Sequence, residues 1–226
     1  MGSELPTSSR FFVLERGATH SHHDVEVDVV EPVNLGAGVD CPRCGGPIGM
    51  RQWLPPYRAN LVLHGEAFGD FIVASGDDLL ISERFAQSFR DEGLTGLEGF
   101  HPVEVLRVRR RGRGSKPSSS PHYVLVRACF GRAAVDLAHS HLQGAQPSAC
   151  EECRYTHFES IHGFTLEPGT WKGEDIFRPR GLQGVLTVSE RFERFVTRHE
   201  FTHLRLTPSE KYVWDPHELQ SRPGAQ

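Results

Sequence analysis

The stretch Asp70-Phe71-Ile72-Val73-Ala74-Ser75-Gly76-Asp77-Asp78-Leu79-Leu80-Ile81-Ser82-Glu83-Arg84-Phe85 decides how this chain is read. Asp70 to Val73 and Leu79 to Ile81 are short apolar runs around a Gly76-Asp77-Asp78 turn, which predicts two buried strands. Ser82 then predicts a helix start, because its hydroxyl can accept a free amide of the first turn and Glu83 suits the positive helix end. Phe85 and Phe89, four residues apart, share one helix face, and Gly93 supplies the stop. The pattern recurs: Asp175-Ile176-Phe177 leads to Val185-Leu186-Thr187-Val188, and Ser189-Glu190-Arg191-Phe192 opens a second helix. Each unit continues into a strand ending near His101-Pro102 or Thr207-Pro208. An ordered recurrence at a near-constant offset predicts a divergent duplication, or two similar units. Asp70 and Asp175 match across it, and bonding a turn or a neighbouring amide accounts for them better than paired catalytic carboxylates do.

Working outward, each unit is preceded by a cysteine pair, Cys41-Pro42-Arg43-Cys44 and Cys150-Glu151-Glu152-Cys153. Two intervening residues let a tight turn aim both thiolates at one metal, and two such turns supply the four ligands that zinc prefers. Gly45 and Gly46 suit a knuckle that turns back through positive φ; Arg154 stands at the matching place in the second pair, a less ideal turn. Disulfides remain an alternative, although a fifth cysteine, Cys129, is left over and no secretory segment is recognisable. A redox CxxC and a catalytic zinc are the others; the first fits poorly beside Pro42 and Gly45-Gly46, and four thiolates leave a catalytic zinc no open position. The preferred reading is one structural zinc joining the two halves through Cys41, Cys44, Cys150 and Cys153.

The fold class expected is therefore α+β, with mixed or antiparallel sheets, few helices and two similar β-β-α-β halves joined by the zinc site. A flexible leader is expected at 1–9, one zinc-stapled domain at 10–215 with halves at about 10–105 and 122–215, and a flexible tail at 216–226. The 226 residues, 38% hydrophobic and 24% charged, suit a globular protein of that size, and no apolar run approaches a membrane span. A net charge of −4 argues against a general nucleic-acid binder. Free-thiol chemistry points to the cytoplasm.

Other stretches read more plainly. Arg10 to Leu14 is a first strand, and His20, His22 and His23 form a solvated run. Asp24-Val25-Glu26-Val27-Asp28-Val29 alternates, placing three valines on one strand face and Asp24, Glu26 and Asp28 on the other. Arg107 to Pro117 reads as an exposed loop whose Arg109, Arg110, Arg111 and Arg113 lack the interleaved aromatics that stack bases. Tyr123 to Phe130 is a strand with Cys129 as a small buried residue. His139 and His141 would share one side of a strand but lack a third ligand for a metal. The chain contains no P-loop, no HExxH and no GxSxG, so no enzyme is expected.

With these motifs in order, the chain resembles the double-CxxCG-motif family, paralogous proteins of myxobacteria identified as immunity proteins against polymorphic toxins. The resemblance rests on Arg10-Phe11-Phe12, Cys41-Pro42-Arg43-Cys44-Gly45, Cys150-Glu151-Glu152-Cys153, Trp171-Lys172-Gly173-Glu174-Asp175-Ile176-Phe177 and the Ser189-Glu190-Arg191-Phe192 helix, roughly Arg10 to Asp215. It departs at Arg154, where the family pattern has glycine. It implies a binding protein that neutralises a cognate protein toxin by occluding its active surface. Asp24, Glu26 and Asp28, or Arg109, Arg110, Arg111 and Arg113, are candidate partner-binding residues. The alternative is a zinc-ribbon nucleic-acid-binding or regulatory protein using the arginines.

Overall fold

The computed structural model describes residues 10–17, 25–64, 67–111, 121–146 and 148–216. Strands β1 (Phe11–Arg16), β2 (Val25–Val29), β3 (Asn34–Leu35), β4 (Val39–Asp40), β5 (Pro47–Gly49) and β6 (Trp53–Leu54) come first. Then follow β7 (Arg58–Leu63), β8 (Phe71–Val73), β9 (Asp78–Ser82), helix α1 (Glu83–Asp91), β10 (Leu97–Arg110) and β11 (Tyr123–Ala134). The remainder is β12 (Leu142–Gln143), β13 (Ser160–His162), β14 (Ile176–Arg180), β15 (Thr187–Ser189), helix α2 (Glu190–His199), β16 (Leu204–Pro208) and β17 (Val213–Trp214). The fold is α+β, as the sequence leads one to expect, with two α-helices among the described residues and one dominant mixed sheet. That sheet runs β16-β1-β15-β14-β11-β10-β7-β2, with β9 added to β11 and β8 to β9. The β11–β14 and β10–β7 pairs are parallel and the others antiparallel.

The β-β-α-β order occurs twice, as β8-β9-α1-β10 and β14-β15-α2-β16. The amide of Phe85 donates to the capping Ser82 hydroxyl and that of Phe192 to Ser189, each at 3.2 Å. The inward helix faces then meet in one aromatic core shared by both units. Phe85 lies 6.1 Å from Phe192 and 4.6 Å from Phe201, and Phe89 lies 6.2 Å from Phe195, between ring centroids. A buried phenylalanine contributes about 1.5–3 kcal/mol by leaving water, so this cluster is the main adhesive between the units.

Polar interactions repeat with the same symmetry and cross from one unit to the other. Asp70 accepts hydrogen bonds from the Ser82 hydroxyl (2.7 Å), from Arg84 Nε (2.7 Å) and from the amide and hydroxyl of Thr202 (3.0 and 3.1 Å). Asp175 accepts from the Ser189 hydroxyl (2.8 Å), Arg191 Nη1 (2.9 Å) and the amide of Thr95 (3.0 Å). Arg84 also donates to the carbonyls of His199 and Glu200 at the end of α2, while Arg191 donates to those of Glu92 and Gly93 at the end of α1. Each arginine thus neutralises an aspartate of its own unit and satisfies the electronegative end of the other unit's helix. The reading of Asp70 and Asp175 as structural groups agrees with these bonds, and their reach into the opposite unit is new.

The closing strands are exchanged along the sequence. β11 pairs with β9 and β10, placing Tyr123 opposite Ser82 and Ala128 opposite Leu97. β1 pairs with β15 and β16 in the same register, placing Phe11 opposite Ser189 and Arg16 opposite Leu204. The unit near the end of the sequence is therefore completed by the strand near its start. A bulge between Gly99 and His101, with Phe100 at φ +52°, adds one residue to β10. Pro102 consequently stands opposite Val124 as Pro208 stands opposite Phe12.

Three expectations need correction. β10 does not end near Pro102 but continues to Arg110, because its second part pairs with β7. Arg107 to Arg110 therefore belong to a strand rather than a loop. Asp78 is not a turn residue: it begins β9, is buried, and pairs with Arg127 Nε at 2.5 Å. His139 and His141 lie in a turn before β12, with His139 Nδ1 held 2.8 Å from Asp136.

Candidate metal centre

The first cysteine pair lies between β4 and β5, a short antiparallel hairpin. The Gly45 amide returns to the Cys41 carbonyl at 2.9 Å, and the Cys41 amide donates to the Gly46 carbonyl at 2.7 Å. Gly45 has φ +71°, which a glycine adopts without penalty. The Gly46 amide points at Cys44 Sγ, 3.4 Å away. The second pair makes the same turn without a hairpin under it. The Arg154 amide returns to the Cys150 carbonyl at 2.9 Å, and the Tyr155 amide points at Cys153 Sγ from 3.5 Å. Arg154 takes φ +51°, so the turn keeps its shape in a region that disfavours a side chain. The expected weakness of the second knuckle is thus a local backbone cost, with the ligand geometry unchanged. Arg154 also pairs with Glu167 at 2.5 Å.

The four sulfurs, 109 positions apart in sequence pairs, converge. Cys41 Sγ lies 3.8 Å from Cys150 Sγ, and Cys44 Sγ lies 3.6 Å from Cys153 Sγ. All four lie within 4.8 Å of one another, so together they could hold one metal ion. A tetrahedron of thiolates with bonds of about 2.3 Å has edges of about 3.8 Å, close to the observed separations. A disulfide would need sulfurs about 2.05 Å apart, and all five cysteines are free. Cys41, Cys150 and Cys153 are buried with Ile48, packed against Val39 and Phe130, while Cys44 reaches the surface.

The surroundings tune the thiols unequally. Amides of Cys153 and Glu152 directed at Cys150 hold its thiol down at about 7. Burial pushes Cys153 up to about 12. Cys44 accepts the Gly46 amide, which favours its thiolate, yet the neighbouring thiols leave it above its ordinary value. Metal binding deprotonates such a group and releases protons. Cys129 takes no part: its thiol is half-buried, faces the Ile176 carbonyl at 3.7 Å, and is pushed up to about 11 by burial.

Charged residues inside and around the turns add contacts that the spacing rule for ligands does not consider. Arg43 of the first pair meets Glu151 of the second at 3.2 Å, and Arg180 of β14 holds Glu152 at 2.8 Å. The opposite charges of Pro42-Arg43 and Glu151-Glu152 were the available signal. The carbonyl of Cys153 is held by Gln183 Nε2 at 2.9 Å, docking the second knuckle on the β14–β15 connection.

The candidate partner-binding residues lie away from the cysteine cluster. β2, β7 and β10 are adjacent, and their register aligns Glu26 with Val62 and Arg109, and Asp28 with Asn60 and Arg107. Of the candidates, Glu26, Asp28 and Arg109 therefore share one sheet face with Arg107, the acids on the edge strand and the arginines two strands inward. Arg110 falls in the row of Val25 and Leu63 on the opposite face, and Arg111 is exposed just after the strand. Asp24, Arg113 and the histidines 20, 22 and 23 lie outside the described residues. Among the described residues, no helix is long and apolar enough to cross a membrane.

No protein-family model matches the chain, and no curated protein matches it.

Proposed function

We propose that this protein is an immunity protein that binds a cognate polymorphic toxin in the cytoplasm and neutralises it by covering its active surface. In this reading the protein is a binding module without catalytic activity of its own, and its cysteine cluster holds a structural zinc ion. The observation that carries the proposal is the all-sulfur tetrad brought together from two cysteine turns 109 positions apart. Four thiolates fill a tetrahedral shell and leave no open position for a substrate, which favours a scaffold role. Tetrahedral sulfur sites take zinc or iron, and without a redox role zinc is the fitting ion. Cys41, Cys44, Cys150 and Cys153 would hold it, and its binding energy would count towards folding. The motif order shared with the double-CxxCG proteins supplies the toxin-neutralising part of the reading.

The test is co-expression with the toxin encoded beside this gene. Survival of cells making both proteins is the expected result, and continued killing overturns the proposal. Elemental analysis with an X-ray absorption edge should report one zinc with four sulfur neighbours; fewer than four refutes the structural assignment. A nucleic-acid-binding role through Arg109, Arg110, Arg111 and Arg113 predicts affinity that falls steeply with salt. Absence of such affinity in a titration removes that alternative.

A further inference from the structure

The dominant sheet ends at β2, whose second edge has no strand beside it among the described residues. The register against β7 shows which main-chain groups that edge presents. The Val30 amide donates to the Arg58 carbonyl, so Asp28–Asn60 and Glu26–Val62 are the hydrogen-bonded pairs of the ladder. The amides and carbonyls of Val25, Val27 and Val29 therefore point away from β7, along the open edge. Their side chains face the core shared with Leu61, Leu63 and Trp53. Glu26 and Asp28 stand on the outer face, both exposed.

These positions define what can be added. A strand docking antiparallel would bond through Val25, Val27 and Val29, leaving Glu26 and Asp28 in the non-hydrogen-bonded positions. There, opposing Cα atoms approach to about 4.5 Å and cross-strand charges interact most closely. A second copy of β2 turned about Val27 would place Glu26 against Asp28 in both directions, setting four carboxylates together. The edge therefore rejects its own copy, a common protection of open edges. A strand with lysine or arginine at alternate positions meets opposite charges instead. Glu26 already bridges His64 at 3.1 Å, so Asp28 is the stronger of the two contacts.

We infer that the free edge of β2 is a docking site for an extended strand of a partner protein, one bearing basic residues at alternate positions. This rests on the binding-protein reading above and deepens it by naming the surface and the chemistry of the partner. Main-chain bonds supply the affinity of such strand addition and the alternate side chains its specificity.

The test uses the full chain and a labelled nine-residue peptide of alternating arginine and valine with blocked ends. Binding should slow hydrogen exchange of the Val25, Val27 and Val29 amides at least tenfold and leave those of the opposite edge strand, β16, unchanged. The charge-reversed E26K/D28K protein should bind at least tenfold more weakly, as should the wild type with a peptide N-methylated at alternate residues. Unchanged exchange at the three valines, equal binding of the N-methylated peptide, or no binding at millimolar concentration each overturns the inference. Co-expression separates the two levels. If E26K/D28K protects cells from the neighbouring toxin as well as the wild type does, the edge is not the interface and the neutralising role stands. If the wild type fails to protect while the peptide still docks on the three valines, the neutralising role falls and the docking edge stands.

Discussion

The two cysteine turns reach one backbone shape from unequal sequences, whereas the two aspartate clasps reach one set of bonds from matching sequences. Gly45 and Arg154 both occupy positive φ, and in both turns the next amide points at the second sulfur. The clasps repeat residue for residue: aspartate, serine, arginine and the threonine that crosses over. A ligand turn demands a backbone conformation, which several residues can adopt at some cost. A buried carboxylate demands particular donors, because an unpaired buried charge is far more expensive than a strained φ.

The largest effect should come from removing a sulfur. Cys153→Ser, at the most buried ligand, should abolish stoichiometric metal and broaden or lose the thermal transition. Apparent zinc-binding energies on the order of 10 kcal/mol are coupled to folding in small metal sites. Metal analysis with a calorimetric scan checks it, and full metal content in the variant would contradict the ligand assignment.

Breaking a clasp ranks second. Asp175→Ala removes the acceptor of the Ser189 hydroxyl and the Thr95 amide, while the half-exposed Arg191 keeps its carbonyl partners, and should cost about 1–3 kcal/mol, with Asp70→Ala in the same range. Because each arginine also holds the other unit's helix end, the double variant should lose less than the sum of the two. Urea melts of the singles and the double measure this, and strict additivity would show that the clasps act independently.

The pH dependence distinguishes the clasp from ordinary surface charge. Burial pushes the Asp70 carboxyl up, but Arg84, Ser82 and the Thr202 amide outweigh it and leave its value below that of an unfolded aspartate. Its contribution is therefore present above the unfolded value, near 3.9, and is lost as pH falls through the folded one. Asp70→Asn should accordingly flatten the decline in stability below about pH 4, measured as urea midpoints from pH 6 to pH 2.5. An unaltered slope would place the acid sensitivity elsewhere.

The knuckles provide the smallest and most discriminating comparison. Gly45→Ala has open space around it but must hold positive φ, so it should cost about 1 kcal/mol. Arg154→Gly relieves the same strain and gives up the Glu167 pair, so it should change stability by less than about 1 kcal/mol. Thermal melts at constant metal saturation compare the two. A larger loss at Arg154 would mean that its ion pair, rather than its backbone, shapes the second knuckle.

Much was legible in the chain because local chemistry dictated it. Ser82 and Ser189 cap helices wherever their surroundings permit, Phe85 and Phe89 four apart mark an inward face, and CxxC turns advertise a ligand pair. Alternation in Val25 to Val29 marked a half-buried strand. These follow from hydrogen bonds and side-chain periodicity within a few residues. Tertiary structure alone decided the rest. It set β1 against β15 and β16, carried Arg107 to Arg110 onto β7 as a strand, and aligned Glu26 with Arg109 on one face. It also sent Thr95 and Thr202 to the aspartate of the opposite unit. Each of these joins residues distant along the chain, so no local pattern encodes them. Their energy arises only when both units bury the shared phenylalanine core and bring their edges within reach.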